Sequence, residues 1–257
     1  MISATHDQDG VSRLKDLRQE GSYRSIFPRP QNGNLEAVII NTAGGVTGGD
    51  RFSTTISAQE KARISVTTQA AERIYRATAS EAGRMNTNLS VAKDAQLLWL
   101  PQETILFEGC RLDRSLEVEV HSSAKFLMLE PLVFGREASG ENLRSGTLRD
   151  RVSISVGGHP IYLDRVQMEG DLAAMLTRRA IADGARAMAS LVLVDPAAKD
   201  LLIACRALLP QLGGASMLAD NVLVMRLIAD DSFALRRALA PILTLLTDNA
   251  VPKNWRL

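Results

Sequence analysis

Cysteine and histidine are almost missing from this sequence, with two of the first and three of the second in 257 residues. Cys110 and Cys205 stand far apart and form no CxxC, so neither a disulfide framework nor a zinc knuckle is encoded. Both read as small buried hydrophobes. His6, His121 and His159 never fall at i, i+2 or i+4. Neighbouring residues therefore assemble no stable imidazole or thiolate site, and a metal would rest on carboxylates, weakly. An excess of one charge is missing too: 30 Lys and Arg face 29 Asp and Glu, for a net +1, and neither sign is concentrated. A nucleic-acid binder gathers a basic face. The longest uncharged stretches, Ala37–Gly49 and Ala207–Ala219, contain glycines and fall short of the about 20 apolar residues that span a bilayer. Met1–Asp7 lacks the basic and apolar regions of a secretory signal. A soluble, cytoplasmic protein that engages neither nucleic acid nor membrane is expected. Apolar residues make up 46%, ample for a full core.

From about Leu35 to Met168 the apolar period is two. Ala62–Thr67, Leu116–His121 and Arg151–Val156 alternate, the mark of strands with one buried face. Turn residues recur between them at Gly44-Gly45, Gly48-Gly49-Asp50, Pro101, Gly109 and Gly157-Gly158. The spacing predicts stacked antiparallel sheets, a mainly β fold of sandwich or β-helix-like type, rather than βαβ units. No 20–50-residue repeat and no low-complexity tract is evident.

Beyond Gly170 the period lengthens. Asp195-Pro196 reads as an N-cap followed by a first-turn proline, and Leu201, Leu202, Cys205, Leu208 and Leu209 form a helical stripe. A second helix from Ser232 carries Leu235, Leu239, Ile242, Leu243 and Leu246 on one face, with Pro241 expected to kink or split it. Asn221–Ala229 and Ala187–Val194 read as buried strands. Leu172–Ala185 has helical spacing at Leu172, Met175, Leu176 and Arg179 but leads into the second of those strands. No linker interrupts residues 1–257, which read as one domain.

Two segments carry chemistry. The loop Asn41-Thr42-Ala43-Gly44-Gly45-Val46-Thr47-Gly48-Gly49-Asp50 follows an apolar strand, where glycine N–H groups can cradle phosphate. Yet no helical pattern follows, and neither GK[ST] nor GxGxxG is present. A tight loop where chains approach closely is the plainer reading. The second segment, Glu130–Glu141, follows the apolar run Phe126–Leu129 and sets Arg136, Glu137 and Glu141 among Gly135 and Gly140. It reads either as an Arg–Glu pair closing a turn or as a polar path inside a β protein. No GxSxG elbow or histidine-paired nucleophile appears.

The glycine loop resembles the signature of the urease accessory protein UreD family (UreH in some systems). Four further segments match in family order: Thr67–Arg76, Leu98–Glu103 with Phe107-Glu108-Gly109, Glu130–Glu141, and Pro252–Arg256. The resemblance runs from about Ser22 to Leu257. Lys253-Asn254 stands where the family has an arginine and an apolar residue, and residues 1–21 match nothing and are expected to form a flexible extension.

The resemblance implies a non-enzymatic scaffold, mostly strands with two C-terminal helices. Such a scaffold links apo-urease to UreF, and through UreF to the GTPase UreG, and conducts nickel toward the urease active site. It implies loop and then strand over Leu172–Ala185. No cofactor is bound stably; nickel is in transit. The family's tunnel carboxylates fall on Asp50, Glu72, Glu130 and Asp164. Gly44, Gly45, Gly48, Gly49, Tyr75, Arg76, Gly135, Arg136, Gly140 and Glu141 are the structural or tunnel-lining motif residues. Ordinary salt bridges, with Arg136, Arg165 or Arg51 as partners, are the competing role for the carboxylates. The competing function is an enzyme whose glycine loop holds a phosphorylated small molecule.

Overall fold

The computed structural model describes residues 1–29, 33–78, 80–136 and 139–256. It has three layers: a seven-stranded sheet, a ten-stranded sheet facing it, and the two longer helices on the outer face of the second. The first elements are β1 (Ile2–His6), β2 (Ser12–Leu17) and β3 (Tyr23–Ile26). The chain then coils through β4 (Leu35–Asn41), β5 (Arg51–Ala58), β6 (Arg63–Thr68), β7 (Glu72–Ile74) and β8 (Gly83–Val91). It continues through β9 (Gln96–Leu100), β10 (Thr104–Leu106), β11 (Cys110–Val120), β12 (Lys125–Phe134) and β13 (Gly146–Val156).

Successive long strands of this stretch alternate between the sheets. The smaller sheet runs β14-β13-β11-β8-β5-β1-β2, with β14 spanning His159–Gly170. The larger holds β12-β9-β6-β4-β3. Each coil returns in the same direction, so β5–β8–β11–β13 and β4–β6–β9–β12 pair in parallel. The stacked, β-helix-like architecture is as expected, whereas antiparallel pairing is confined to the flanks, as in β1–β2, β3–β4 and β13–β14. Alternation of period two is common to both directions and cannot distinguish them. The coils also constitute a repeat that the sequence hides. Ala62, Ala95 and Ala124 are buried at the same corner of three successive turns. Corner bonds stack them: Gln96 N–H donates to the Ala62 carbonyl at 2.8 Å and Lys125 N–H to that of Ala95 at 2.9 Å.

Residues 1–21 are not a free extension. β1 lies parallel to β5 and antiparallel to β2, and Ile2 and Ala4 are buried in the inter-sheet core.

The last third follows the expected change of period. A short helix α1 (Leu172–Leu176), capped by Asp171, gives way to turns before β15 (Ala187–Val194). Leu172–Ala185 is thus one helical turn plus loop, between the two readings of that segment. Helix α2 covers Ala198–Leu208, then come β16 (Gly213–Ala219), β17 (Val222–Ala229), α3 (Ser232–Leu246) and a 3-10 turn at Lys253–Trp255. Asp195 caps the turn before α2 by accepting from Ala197 N–H rather than capping the helix itself. All five apolar residues expected on one face of α3 are buried against the larger sheet. Pro241 does not split α3: burial of that face outweighs one lost helical hydrogen bond. Trp255 is buried beneath the helices and donates its indole N–H to the Leu100 carbonyl at 2.8 Å.

Candidate functional site

The strands that face each other across the sandwich share one anomaly. On β11 the inward phase runs Cys110, Leu112, Arg114, Leu116, Val118; on β13 it runs Leu148, Asp150, Val152, Ile154. On β12 it runs Phe126, Met128, Glu130, Leu132, Phe134. Each carries a single charge where an apolar residue belongs. The parallel register sets Arg114 beside Asp150, and these charges separate two hydrophobic clusters. A polar layer therefore cuts the inter-sheet core.

Its centre is a buried triad. Arg114 is 7% exposed, Glu130 8% and Asp150 8%. The Arg114 guanidinium donates from Nε and Nη2 to Asp150 Oδ1 and Oδ2 at 2.9 and 2.6 Å. Its Nη1 meets Glu130 Oε2 at 2.6 Å and Thr104 Oγ1 at 3.2 Å. Trp99 Nε1–H donates to the other Glu130 oxygen at 2.6 Å. Burial lifts the Glu130 carboxyl above the ordinary carboxylate range; Arg114 opposes this and Asp150 adds to it. Burial also works against the charge of Arg114, but Asp150 and Glu130 outweigh it and hold the guanidinium charged.

Arg114 and Glu130 line a cavity of about 230 Å³ whose wall also includes Glu72, Tyr23, Asn41 and Gly44. Glu72 accepts from Asn41 Nδ2 at 2.9 Å and from the Tyr23 hydroxyl at 3.3 Å. Burial raises its pKa, more than these donors lower it. An open cleft of about 610 Å³ adjoins this cavity, with Tyr23, Ile39 and Thr54 as common walls, and Asp50 stands on its side. Asp50 accepts from Thr47 N–H at 2.9 Å, closing the glycine loop. In the other direction, cross-strand register leads from Glu130 to Ser190 and on to Arg226. Arg226 donates to Ser190 Oγ at 3.1 Å and pairs with Asp164 on β14, across the gap between sheets.

The four carboxylates singled out by motif thus lie on or beside one polar layer. Their partners differ from those proposed: Glu130 meets Arg114 rather than Arg136, Asp164 meets Arg226 rather than Arg165, and Asp50 meets backbone rather than Arg51. Arg136 pairs instead with Glu141 at 3.0 Å and lies over the Phe107 ring at 4.2 Å. Tyr75 packs edge-on against the same ring and donates its hydroxyl to the Gly44 carbonyl. Arg76 accepts the Thr47 hydroxyl through its carbonyl, and Gly135 donates its N–H to Leu106. Gly140 has positive φ in the turn before Glu141, while Glu137 and Ala138 lie outside the described residues. The glycine loop is explained by contact. A Cβ on Gly45 would stand 2.4 Å from the Tyr75 ring, and one on Gly48 2.7 Å from the Glu81 carbonyl. Gly44 and Gly49 have positive φ.

Arg114 and Asp150 were missed by motif reading, although a charge in the apolar phase of an alternating strand marks both. Among the described residues no three His, Cys, Asp or Glu side chains converge as a metal cluster. Both cysteines are buried; burial pushes Cys110 up to about 11. No helix among the described residues is long and apolar enough to cross a membrane.

Fold and site together define a β-solenoid-like protein with a helical outer layer and a charged stratum inside its sandwich. The chain belongs to the UreD urease accessory protein family, whose family model it matches over residues 2–256. That match takes in the N-terminal strands, which carried no resemblance by motif. The chain is 48% identical to the urease accessory protein UreD of Roseobacter denitrificans, over 97% of this chain and 91% of that one. It is 48% identical to that of Ruegeria pomeroyi, over 96% of each, and 44% identical to that of Rhizobium rhizogenes, over 97% and 91%. These relatives are named as accessory proteins rather than enzymes, and the chain's role lies in urease maturation.

Proposed function

We propose that the chain is a non-enzymatic scaffold that joins apo-urease to UreF, and through UreF to UreG, and passes nickel along its inter-sheet polar layer during metallocentre assembly. The observation that carries this reading is that Glu72 and Glu130 face one cavity, with Asp50 on the cleft that shares three wall residues with it and Asp164 linked to Glu130 through Arg226 and Ser190. Isolated oxygen donors bind nickel weakly, which suits transit, whereas a cluster of imidazoles or thiolates would retain it. The layer is also internal, so a passing ion is shielded from competing ligands in solution. A phosphate-binding enzyme finds no comparable support: the glycines are accounted for by Tyr75, Arg73 and Glu81.

Glu130→Gln tests this. The substitution keeps size and one of the two acceptor oxygens, the other becoming an NH2 donor, and removes the charge, while Arg114 keeps its bidentate pair with Asp150, so no buried cation is orphaned. Folding and co-purification with UreF and apo-urease are expected to survive while urease activation falls at limiting nickel. A stable Glu130→Gln complex that activates urease at the wild-type rate would overturn the reading.

A further inference from the structure

We propose that Arg114 occupies the seat of a divalent cation between Glu130 and Asp150, closing the polar layer to metal until the guanidinium is displaced. This deepens the nickel-path reading and rests on it for its biological sense, but not for its chemistry. The guanidinium is surrounded by four oxygens, Glu130 Oε2, Asp150 Oδ1 and Oδ2, and Thr104 Oγ1, at 2.6 to 3.2 Å. A divalent ion accepts such a set of oxygen donors. Trp99 holds the remaining Glu130 oxygen, which orients the carboxylate so that Oε2 faces the seat.

Charge points the same way. Arg114 brings a single positive charge to two buried carboxyl groups. A dication in the same seat balances both carboxylates. Arg114 also has somewhere to go. It borders the cavity of about 230 Å³ that Glu72 also lines, and Glu72 accepts there from two neutral donors, Asn41 and Tyr23. A guanidinium that swings into the cavity exchanges the pair Glu130 and Asp150 for Glu72, and leaves its former partners free for the ion. An arginine that bridges two sheets and can be withdrawn is a gate that partner binding could work.

The test uses the full chain and nickel chloride alone. Arg114→Met removes the resident cation and leaves both carboxylates. Its melting temperature is expected to rise by about 2–4 °C or more on saturation with nickel, with about one ion retained in equilibrium dialysis, while wild type shows neither. Arg114→Met/Asp150→Asn restores the charge balance and is expected to lose the nickel response. If Arg114→Met does not fold unaided, refolding with and without nickel is the readout, and recovery only with nickel supports the seat. Arg114→Met that neither melts higher, retains metal nor recovers with nickel overturns the proposal, as does a double variant that responds equally. Failure of the nickel-path reading looks different: Glu130→Gln would activate urease normally even though Arg114→Met binds nickel.

Discussion

Trp99 and Glu130 project from neighbouring parallel strands, and the indole Nε1–H meets the carboxylate Oε1 at 2.6 Å in the buried interior. This bond satisfies the one carboxylate oxygen that Arg114 does not reach, and so settles which way Glu130 faces. Trp99→Phe keeps the ring against the core but removes the donor. A buried acceptor left without its partner costs about 1–3 kcal/mol. Denaturant unfolding should show that loss as a lower midpoint with an unchanged slope. A loss near zero would mean that Glu130 recruits another donor from the cavity.

The raised pKa of Glu72 makes a statement about stability against pH. Its ordinary value is 4.5, and burial raises it in the folded chain. The folded state therefore holds this proton more tightly than the unfolded state. The resulting stabilisation is complete below pH 4.5 and is lost as pH rises through the folded value. Glu72→Gln cannot titrate. Relative to wild type, the variant should gain stability between about pH 4 and about pH 7, by about 1.4 kcal/mol for each pH unit separating the two titration points. Melting curves of both proteins at the two ends of that range check it. A difference that stays constant, or moves the other way, would show that Asn41 and Tyr23 outweigh burial.

How much of this was legible in the residues follows from what local patterns encode. The strand content, the buried strand Ala187–Val194 and the apolar face of α3 were all readable, because each depends on a short period. The charges at Arg114, Glu130 and Asp150 were also visible as breaks in that period, but their pairing was not. Motif reading sought the partner of Glu130 nearby in the chain, at Arg136, whereas it stands on the facing sheet at Arg114. Strand direction and the coil repeat were likewise hidden, since they are set by where each turn sends the chain. The N-terminal strands lacked motif residues, yet Ile2, Ser3 and Ala4 are all buried in the folded chain.

Those N-terminal residues give a third expectation. Ile2 and Ala4 fill the core beside Ile56 and Ala58 of β5, and Ser12 Oγ accepts the Arg63 N–H at 2.8 Å. Deleting residues 1–18 would uncover the β5 edge and remove one wall of the open cleft. Loss of Ile2 burial alone costs about 1.5–3 kcal/mol. An exposed parallel edge also invites association. The truncated chain should melt well below the full chain and partition into the insoluble fraction. Unchanged solubility and melting would mean that the hairpin merely rests on the sheet.

The helical layer supplies the last expectation. One face of α2 and α3 is sealed against the larger sheet, yet Ile203 on α2 is 80% exposed and Phe233 on α3 62%. Leu212 and Leu218, just before and within β16, are also exposed. Apolar side chains gathered on one layer favour association when no partner covers them. Ile203 and Phe233 are mostly exposed, so Ile203→Glu and Phe233→Glu should each change folding stability by no more than about 0.5 kcal/mol. Sedimentation at rising protein concentration should show the double variant remaining monomeric where the wild type associates, and co-expression with UreF should recover less complex. A variant that associates like wild type and still captures UreF fully would place the docking surface elsewhere.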